Sequence, residues 1–385
     1  MALLHRGTVG ILPAGALGVA FYFHLTHELR RVDERVCFMA REGSSSAAVL
    51  REYGRLQIAR GGQINEVAHP ALWTPDLLTC AESGFLPELV LVCTQPDQLL
   101  SVIGDAVRLL EQLSENGHLD AEASQLPMFI LSSNGIYFQR VRQFLIEKLE
   151  EATLFGRLPD LWPDRMPHIV GKLLRGVTIQ TGQREGSGTA AIYRPGASGR
   201  TRLAGGNTAN RERAAALLSE RGGWFEAVAA SPTRVEFDKA LVNLAVNLLG
   251  QLRAIGDDGS FSLLTIREII QRDDDPEVRQ LAEQVVEVGR AVRAYGPADN
   301  FAALYEKMLG SAHEHLEHVP SSLQWIAQQL RRGTLEARLS PTEAWLLEPL
   351  IRYAKAAGLA EAAHYFEDLT RRVEERLALA AAVQR

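Results

Sequence analysis

Short, uniformly apolar runs recur through the first third of the chain, each followed by a stretch with helical spacing, and no other feature restricts the fold as strongly. Thr8–Leu12, Val36–Ala40, Leu56–Ala59, Leu89–Thr94 and Met128–Ser132 carry apolar side chains on both faces, the pattern of strands buried inside a parallel sheet. Between them, Gly15–Arg31, Ser45–Tyr53, Gln98–Asn116 and Phe138–Leu149 place apolar residues about 3.6 apart and can serve as crossover helices. Parallel strands need such crossovers. The expected architecture is therefore an α/β, Rossmann-type doubly wound sheet over residues 1–225.

Beyond Glu151 a proline-rich connector (Pro159, Pro163, Pro167) precedes two β-like runs, Gly176–Gly182 and Thr189–Arg194, split by the turn-forming Glu185-Gly186-Ser187-Gly188. These read as a hairpin added to the sheet edge. A helix is expected over about Asn210–Arg221, ended by Gly222-Gly223, and from Arg234 onward the pattern is helical almost throughout. Residues 226–385 are accordingly expected to form an all-helical domain that supplies substrate-binding and catalytic groups.

Composition removes several classes of function. A net charge of -6 with 23% charged residues offers no basic surface of the kind phosphate backbones require, so nucleic acid is excluded as a partner. No apolar run approaches the roughly 18 residues of a membrane span, and the start of the chain turns glycine-rich too soon for a secretory leader. Cys37, Cys80 and Cys93 contain no Cys-x-x-Cys pair, which fits a reduced, cytoplasmic protein without a disulfide framework or thiolate metal site. His313, His315 and His318 lack the i, i+4 spacing of a helical zinc pair, so no metal is expected.

The turn after the first strand reads Val9-Gly10-Ile11-Leu12-Pro13-Ala14-Gly15-Ala16-Leu17-Gly18. A dinucleotide loop belongs at this position: Gly15 would let the backbone approach a pyrophosphate, Gly18 would let the helix pack on its strand, and the helix start would supply amide dipoles. Pro13 stands where the first glycine of that motif belongs, and it removes an amide donor. The second strand ends in Arg41-Glu42-Gly43-Ser44-Ser45-Ser46. Arg41 and the serines suit a ribose 2′-phosphate and hence NADP, whereas Glu42 could accept from a free ribose hydroxyl and hence NAD.

Further on, Val235-Glu236-Phe237-Asp238-Lys239-Ala240-Leu241-Val242-Asn243-Leu244-Ala245-Val246-Asn247 sets Lys239, Asn243 and Asn247 at successive four-residue steps. On a helix these form a slanted polar row, advancing about 6 Å and drifting about 40° per step. Three such groups on an apolar face need partners, which points to a solvated or ligand-filled cleft instead of core.

These motifs resemble those of the ketopantoate reductase (2-dehydropantoate 2-reductase) family, whose catalytic helix carries Lys-x-x-x-Asn-x-x-x-Asn, matched by Lys239, Asn243 and Asn247. The resemblance runs through Val36–Arg41 with Tyr53–Ile58, the Asn-Gly turn at Asn134-Gly135, and Ser321-Ser322-x-Gln324, similar to the family's serine element. It implies a C-terminal helical domain like that of the 6-phosphogluconate dehydrogenases, closing over a cofactor at the carboxyl ends of the strands. It further implies NADP held by Pro13, Ala14, Gly15, Ala16, Leu17, Gly18, Arg41, Thr94, Gln95 and Asn134. A small-molecule 2-oxo acid would be bound by Asn243, Asn247, Ser321, Ser322 and Asn134, with Lys239 as general acid, and the resemblance admits a homodimer.

Gln95 departs from the family by replacing a lysine, which puts ketopantoate itself in doubt as substrate. The family's catalytic glutamate corresponds to Glu343 in Thr342-Glu343, with Glu336 as the competing position. An opine-dehydrogenase-like or other 2-hydroxy-acid oxidoreductase, and a non-catalytic nucleotide-sensing relative with a degraded cofactor loop, remain open alternatives.

Overall fold

A computed structural model describes residues 4–26, 35–60, 63–159 and 161–383. The chain divides into two compact units, residues 1–133 with 138–232 and residues 134–137 with 233–385.

The first unit contains twelve strands among its described residues: β1 (Leu4–Leu12), β2 (Val36–Met39), β3 (Leu56–Arg60), β4 (Gln63–Ala68), β5 (Leu72–Thr74), β6 (Leu86–Val92), β7 (Met128–Leu131), β8 (Leu173–Thr178), β9 (Gly182–Glu185), β10 (Ile192–Pro195), β11 (Thr201–Gly205) and β12 (Phe225–Ala227). Eight of them form one sheet in the order β12-β11-β8-β7-β6-β1-β2-β5, parallel throughout except for the antiparallel β11–β8 pair. β1 has β2 on one side and β6 on the other, so the order reverses there. In such sheets ligands bind beyond the carboxyl ends of the strands at this switch point. This is the doubly wound, Rossmann-type sheet that the apolar runs predict.

Two expectations need correction. The run at Leu56–Ala59 is a strand, but β3 lies in a separate four-stranded sheet, ordered β4-β3-β10-β9. Gly176–Gly182 does not form a hairpin with Thr189–Arg194, since residues 176–178 belong to β8 of the large sheet and β10 pairs instead with β9 in the small one. The helix Ala16–Leu25 explains why. Its sequence, Ala-Leu-Gly-Val-Ala-Phe-Tyr-Phe-His-Leu, is apolar on all sides, and seven of its residues are buried. A helix of that kind must be covered on its outer face as well. The β9–β10 hairpin does this so closely that a Cβ at Gly182 would stand 2.2 Å from the Ala16 carbonyl oxygen. The helix was expected to run to Arg31; its end at Leu25 is capped by Thr26, whose amide and hydroxyl both reach the Tyr22 carbonyl (3.0 and 2.7 Å), and residues 27–34 lie outside the described part.

The second unit is helical: Pro232–Asn243, continuing through Leu244–Leu248 and Leu249–Ala254, then Ile266–Ile269, Pro276–Ala291, Phe301–His313, Ser321–Arg332, Pro341–Ala356 and Ala360–Val383. One core joins them, and it includes Ile136, although that residue follows β7 in the chain. Among the described residues no helix is long and apolar enough to cross a membrane.

Arg175, on β8, is 2% exposed and directs its guanidinium at backbone: Nη1 donates to the Leu131 and Gly176 carbonyls (both 2.7 Å) and Nη2 to the Ser133 carbonyl (2.8 Å). A buried charge is tolerated only with such partners. The side chain thereby fixes the carboxyl end of β7, where the Asn134 turn begins. Arg175→Met should lower the free energy of unfolding by about 3 kcal/mol or more, because buried carbonyls lose their donor. Denaturant unfolding checks this, and an unchanged midpoint would show that Arg175 does not hold the strand end.

Candidate functional site

At the switch point, β1 ends at Leu12 and the chain passes through Pro13 and Ala14 to Gly15, the N-cap of helix Ala16–Leu25. A Cβ at Gly18 would stand 2.2 Å from the Pro13 carbonyl oxygen and 2.9 Å from Ile11 Cγ2, so only glycine permits this approach of helix to strand. Gly15 has a different surrounding. The nearest atom to a Cβ there would be Pro13 Cγ at 3.9 Å, which leaves open space over the first turn of the helix. The Ala14 amide is spent on the Met39 carbonyl (3.0 Å), tying the turn to the end of β2.

Beside this turn lies a cleft of about 510 Å³, lined by Leu12, Arg41, Glu42, Asp76, Thr94, Gln98 and Asp105 among others. Arg41 is its only cation among the described lining residues. Burial raises the Asp105 carboxyl, while Arg108 and Arg41 draw it back down. Glu42 lies 3.9 Å from Arg51, both exposed. The serines that follow take structural tasks: Ser44 caps helix Ser45–Tyr53 by accepting from the Ala47 amide (3.1 Å), Ser45 accepts from the Gly188 amide (3.1 Å), and Ser46 is buried.

Thr94, just past β6, is 3% exposed, and its Oγ1 has no hydrogen-bond partner. A buried hydroxyl in that state is uncommon and suits a ligand. Its carbonyl accepts from the Ser133 hydroxyl, joining the ends of β6 and β7. Gln95 is exposed and lies outside the lining of this cleft.

In the helical unit the polar row begins at Lys239. Ala240, Leu241 and Leu244 beside it are buried, and burial pushes the ammonium down to about 8 from its usual 10.5. Asn243 is 6% exposed. Between Asn243 and Asn247 the helix changes to π geometry over Leu244–Leu248, with the Leu249 amide reaching back to the Leu244 carbonyl. The row is therefore not the uninterrupted α-helical stripe that the four-residue spacing suggests. Such widened turns are rare and occur often at functional sites.

Asn247 Oδ1 accepts from the Ser322 amide (3.3 Å) and hydroxyl (3.1 Å) and from the Ser321 hydroxyl (3.4 Å), at the start of helix Ser321–Arg332. The structure thus brings Asn247, Ser321 and Ser322 together. His318, a few residues earlier, is lowered below its usual value by burial, by His315 and by the Lys239 charge, which sets Lys239 near the same segment. Among the described residues no three His, Cys, Asp or Glu side chains are grouped to hold a metal.

Glu343 is 3% exposed near the start of helix Pro341–Ala356 and accepts from the Ser340 hydroxyl. Burial raises its carboxyl to about 7. Glu336, its competitor, is exposed and paired with Arg338.

Asn134 is exposed, and Asn134–Tyr137 belong to the helical unit. The residue that sequence reasoning missed is Glu236: 2% exposed, it accepts the Tyr137 amide at 3.2 Å. Its spacing held a signal, since Glu236, Lys239 and Asn243 at i, i+3 and i+7 share one helical face.

Because a folded-state carboxyl raised to about 7 favours the neutral acid, Glu343 contributes stability that is present below the unfolded value of 4.5 and is lost as pH rises through 7. Glu343→Gln should therefore melt several degrees above the wild type at pH 8 and close to it at pH 5. Equal melting temperatures at pH 8 would contradict a buried, raised carboxyl.

No protein-family model matches the chain, and neither does any curated protein. Solved structures do. A D-mandelate dehydrogenase in ternary complex with NADH and anilino(oxo)acetate aligns with a TM-score of 0.61 at 17% identity, covering 96% of this chain and 98% of that one. The chain has the ketopantoate reductase fold. A PanE/ApbA family ketopantoate reductase from Ralstonia eutropha aligns at TM-score 0.58 and 17% identity (96% and 99% covered), and a probable 2-dehydropantoate 2-reductase from Bacillus subtilis at 0.60 and 15% (96% and 99%). At these identities the ketopantoate reductase likeness is one of architecture, and chemistry must be argued from the residues.

Proposed function

We propose that the chain is an NADPH-dependent reductase of a 2-oxo acid in which Lys239 is the general acid. The observation that carries this reading is the half-buried Lys239 ammonium, lowered to about 8, at the head of a polar row that ends in the Asn247–Ser322 cluster. A lysine titrating there keeps its proton at neutral pH yet releases it more readily than an exposed one.

The nucleotide unit fits a dinucleotide: space over Gly15, the close-packed Gly18, the unpartnered Thr94 hydroxyl and the Arg41 cleft all lie at the switch point. Arg41 supports NADPH over NADH, since a guanidinium pairs with a 2′-phosphate. When bound, the reduced nicotinamide would supply hydride. Lys239 would hydrogen-bond the carbonyl oxygen of the 2-oxo acid and donate its proton as negative charge develops there. Asn243 and Asn134 would orient the substrate, and Ser321 with Ser322 would hold its carboxylate, their hydroxyl protons turning to it from the Asn247 oxygens that accept them in the free protein. Glu343, buried and easily protonated, would anchor a substrate hydroxyl or Lys239. The substrate's side chain is left open by Gln95, and the D-mandelate dehydrogenase shows that the fold also serves a 2-hydroxy acid.

Lys239→Ala should reduce turnover by about a hundredfold or more while NADPH affinity stays within about twofold. In the wild type, kcat/KM for reduction should fall as pH rises through about 8, where Lys239 loses its proton. Wild-type turnover in Lys239→Ala, or a pH profile flat across that range, would rule out the role.

A further inference from the structure

The Asn134–Tyr137 turn follows β7 in the chain, yet it belongs to the helical unit. The Tyr137 amide donates to the buried Glu236 carboxylate (3.2 Å) and the Ile136 amide to the Trp345 carbonyl (3.0 Å). Ile136 is 1% exposed in the helical core, and Tyr137 packs edge-on against Trp345 at 6.4 Å. Gly135, at φ +130°, takes a backbone conformation that side chains strain, and a Cβ there would crowd both Trp345 Cβ and Tyr137 Cδ1 at 3.1 Å. Glu236 sits one helical turn before Lys239 on the same face. One rigid helix thus carries both Lys239 and the carboxylate that holds the turn displaying Asn134.

We propose that Glu236 is a positioning residue that fixes the Asn134 turn on the Lys239 helix, so that Asn134 works on the substrate beside Lys239 and not on the cofactor. A buried carboxylate accepting a backbone amide makes a strong, directional anchor. Burying a carboxylate without hydrogen-bond donors is costly, and the Tyr137 amide supplies one. The inference rests on the reductase reading for Asn134's role, but not for the anchoring of the turn.

A mutant cycle joined to amide exchange tests it. Glu236→Gln keeps the acceptor oxygen and should behave nearly as wild type. Glu236→Ala should lower kcat about tenfold in the wild-type background and less than about twofold in Asn134→Ala, with NADPH affinity unchanged in both. The Tyr137 amide should exchange about tenfold faster in Glu236→Ala than in Glu236→Gln, which is readable even if no 2-oxo acid is reduced. Equal losses in the two backgrounds, a loss expressed as weaker NADPH binding, a Gln variant as impaired as Ala, or unaltered Tyr137 exchange would each overturn the proposal. A wild type that reduces no 2-oxo acid while Tyr137 exchange responds as expected would instead refute the reductase reading and leave the anchor standing.

Discussion

A lysine half-buried on an apolar helix face is the constraint that the polar groups of the helical unit answer. Water would solvate that charge far better than the apolar helix face does, and the lowered titration of Lys239 expresses the difference. Such a group persists where the surrounding fold is stable enough to hold it. Here the fold supplies one apolar core over all the helices, with Phe237, Ala240, Leu241 and Leu244 flanking the lysine. The polar groups gathered around it have their own supports: Asn247 is bonded at the start of helix Ser321–Arg332, and Glu236 is bonded to the Asn134 turn. Binding energy and protonation can then act on a ligand without first organising the site.

The first unit answers a different demand, the close approach of helix to strand at the end of β1. Gly18 meets it against the Pro13 carbonyl, and the all-apolar helix that follows requires a second layer. That layer is the small sheet of β3, β4, β9 and β10. Pro13 changes the turn without closing it, since the space over Gly15 remains open.

Much of this was legible in the residues. The apolar runs at Val9–Leu12, Val36–Met39, Leu89–Val92 and Met128–Leu131 announce a parallel sheet because strands buried on both faces need no alternation, and helix Ser45–Tyr53 is announced by spacing, while the capping by Ser44 is seen only in the structure. What escaped depends on partners distant in sequence. Leu56–Ala59 looks the same whether it enters the large sheet or the small one, and its partner β10 is set by the need to cover helix Ala16–Leu25. The π turn at Leu244–Leu248 leaves no mark in a four-residue repeat. Asn134 stands next to β7 in the chain, so its attachment to Glu236 and Trp345 could not be read from order alone. Glu236 was visible as a carboxylate on an apolar face, and its meaning appeared only with the Tyr137 amide beside it.

The account turns on whether one chain with a Pro13-containing loop and a neutral-pH lysine acid holds a reduced nicotinamide cofactor. Fluorescence titration of the full chain with NADPH and with NADH tests this most directly. The account predicts saturable binding of NADPH, tighter than NADH, and loss of that preference in Arg41→Ala, where the 2′-phosphate loses its guanidinium. Binding of neither nucleotide would contradict it, leaving the fold without the reaction.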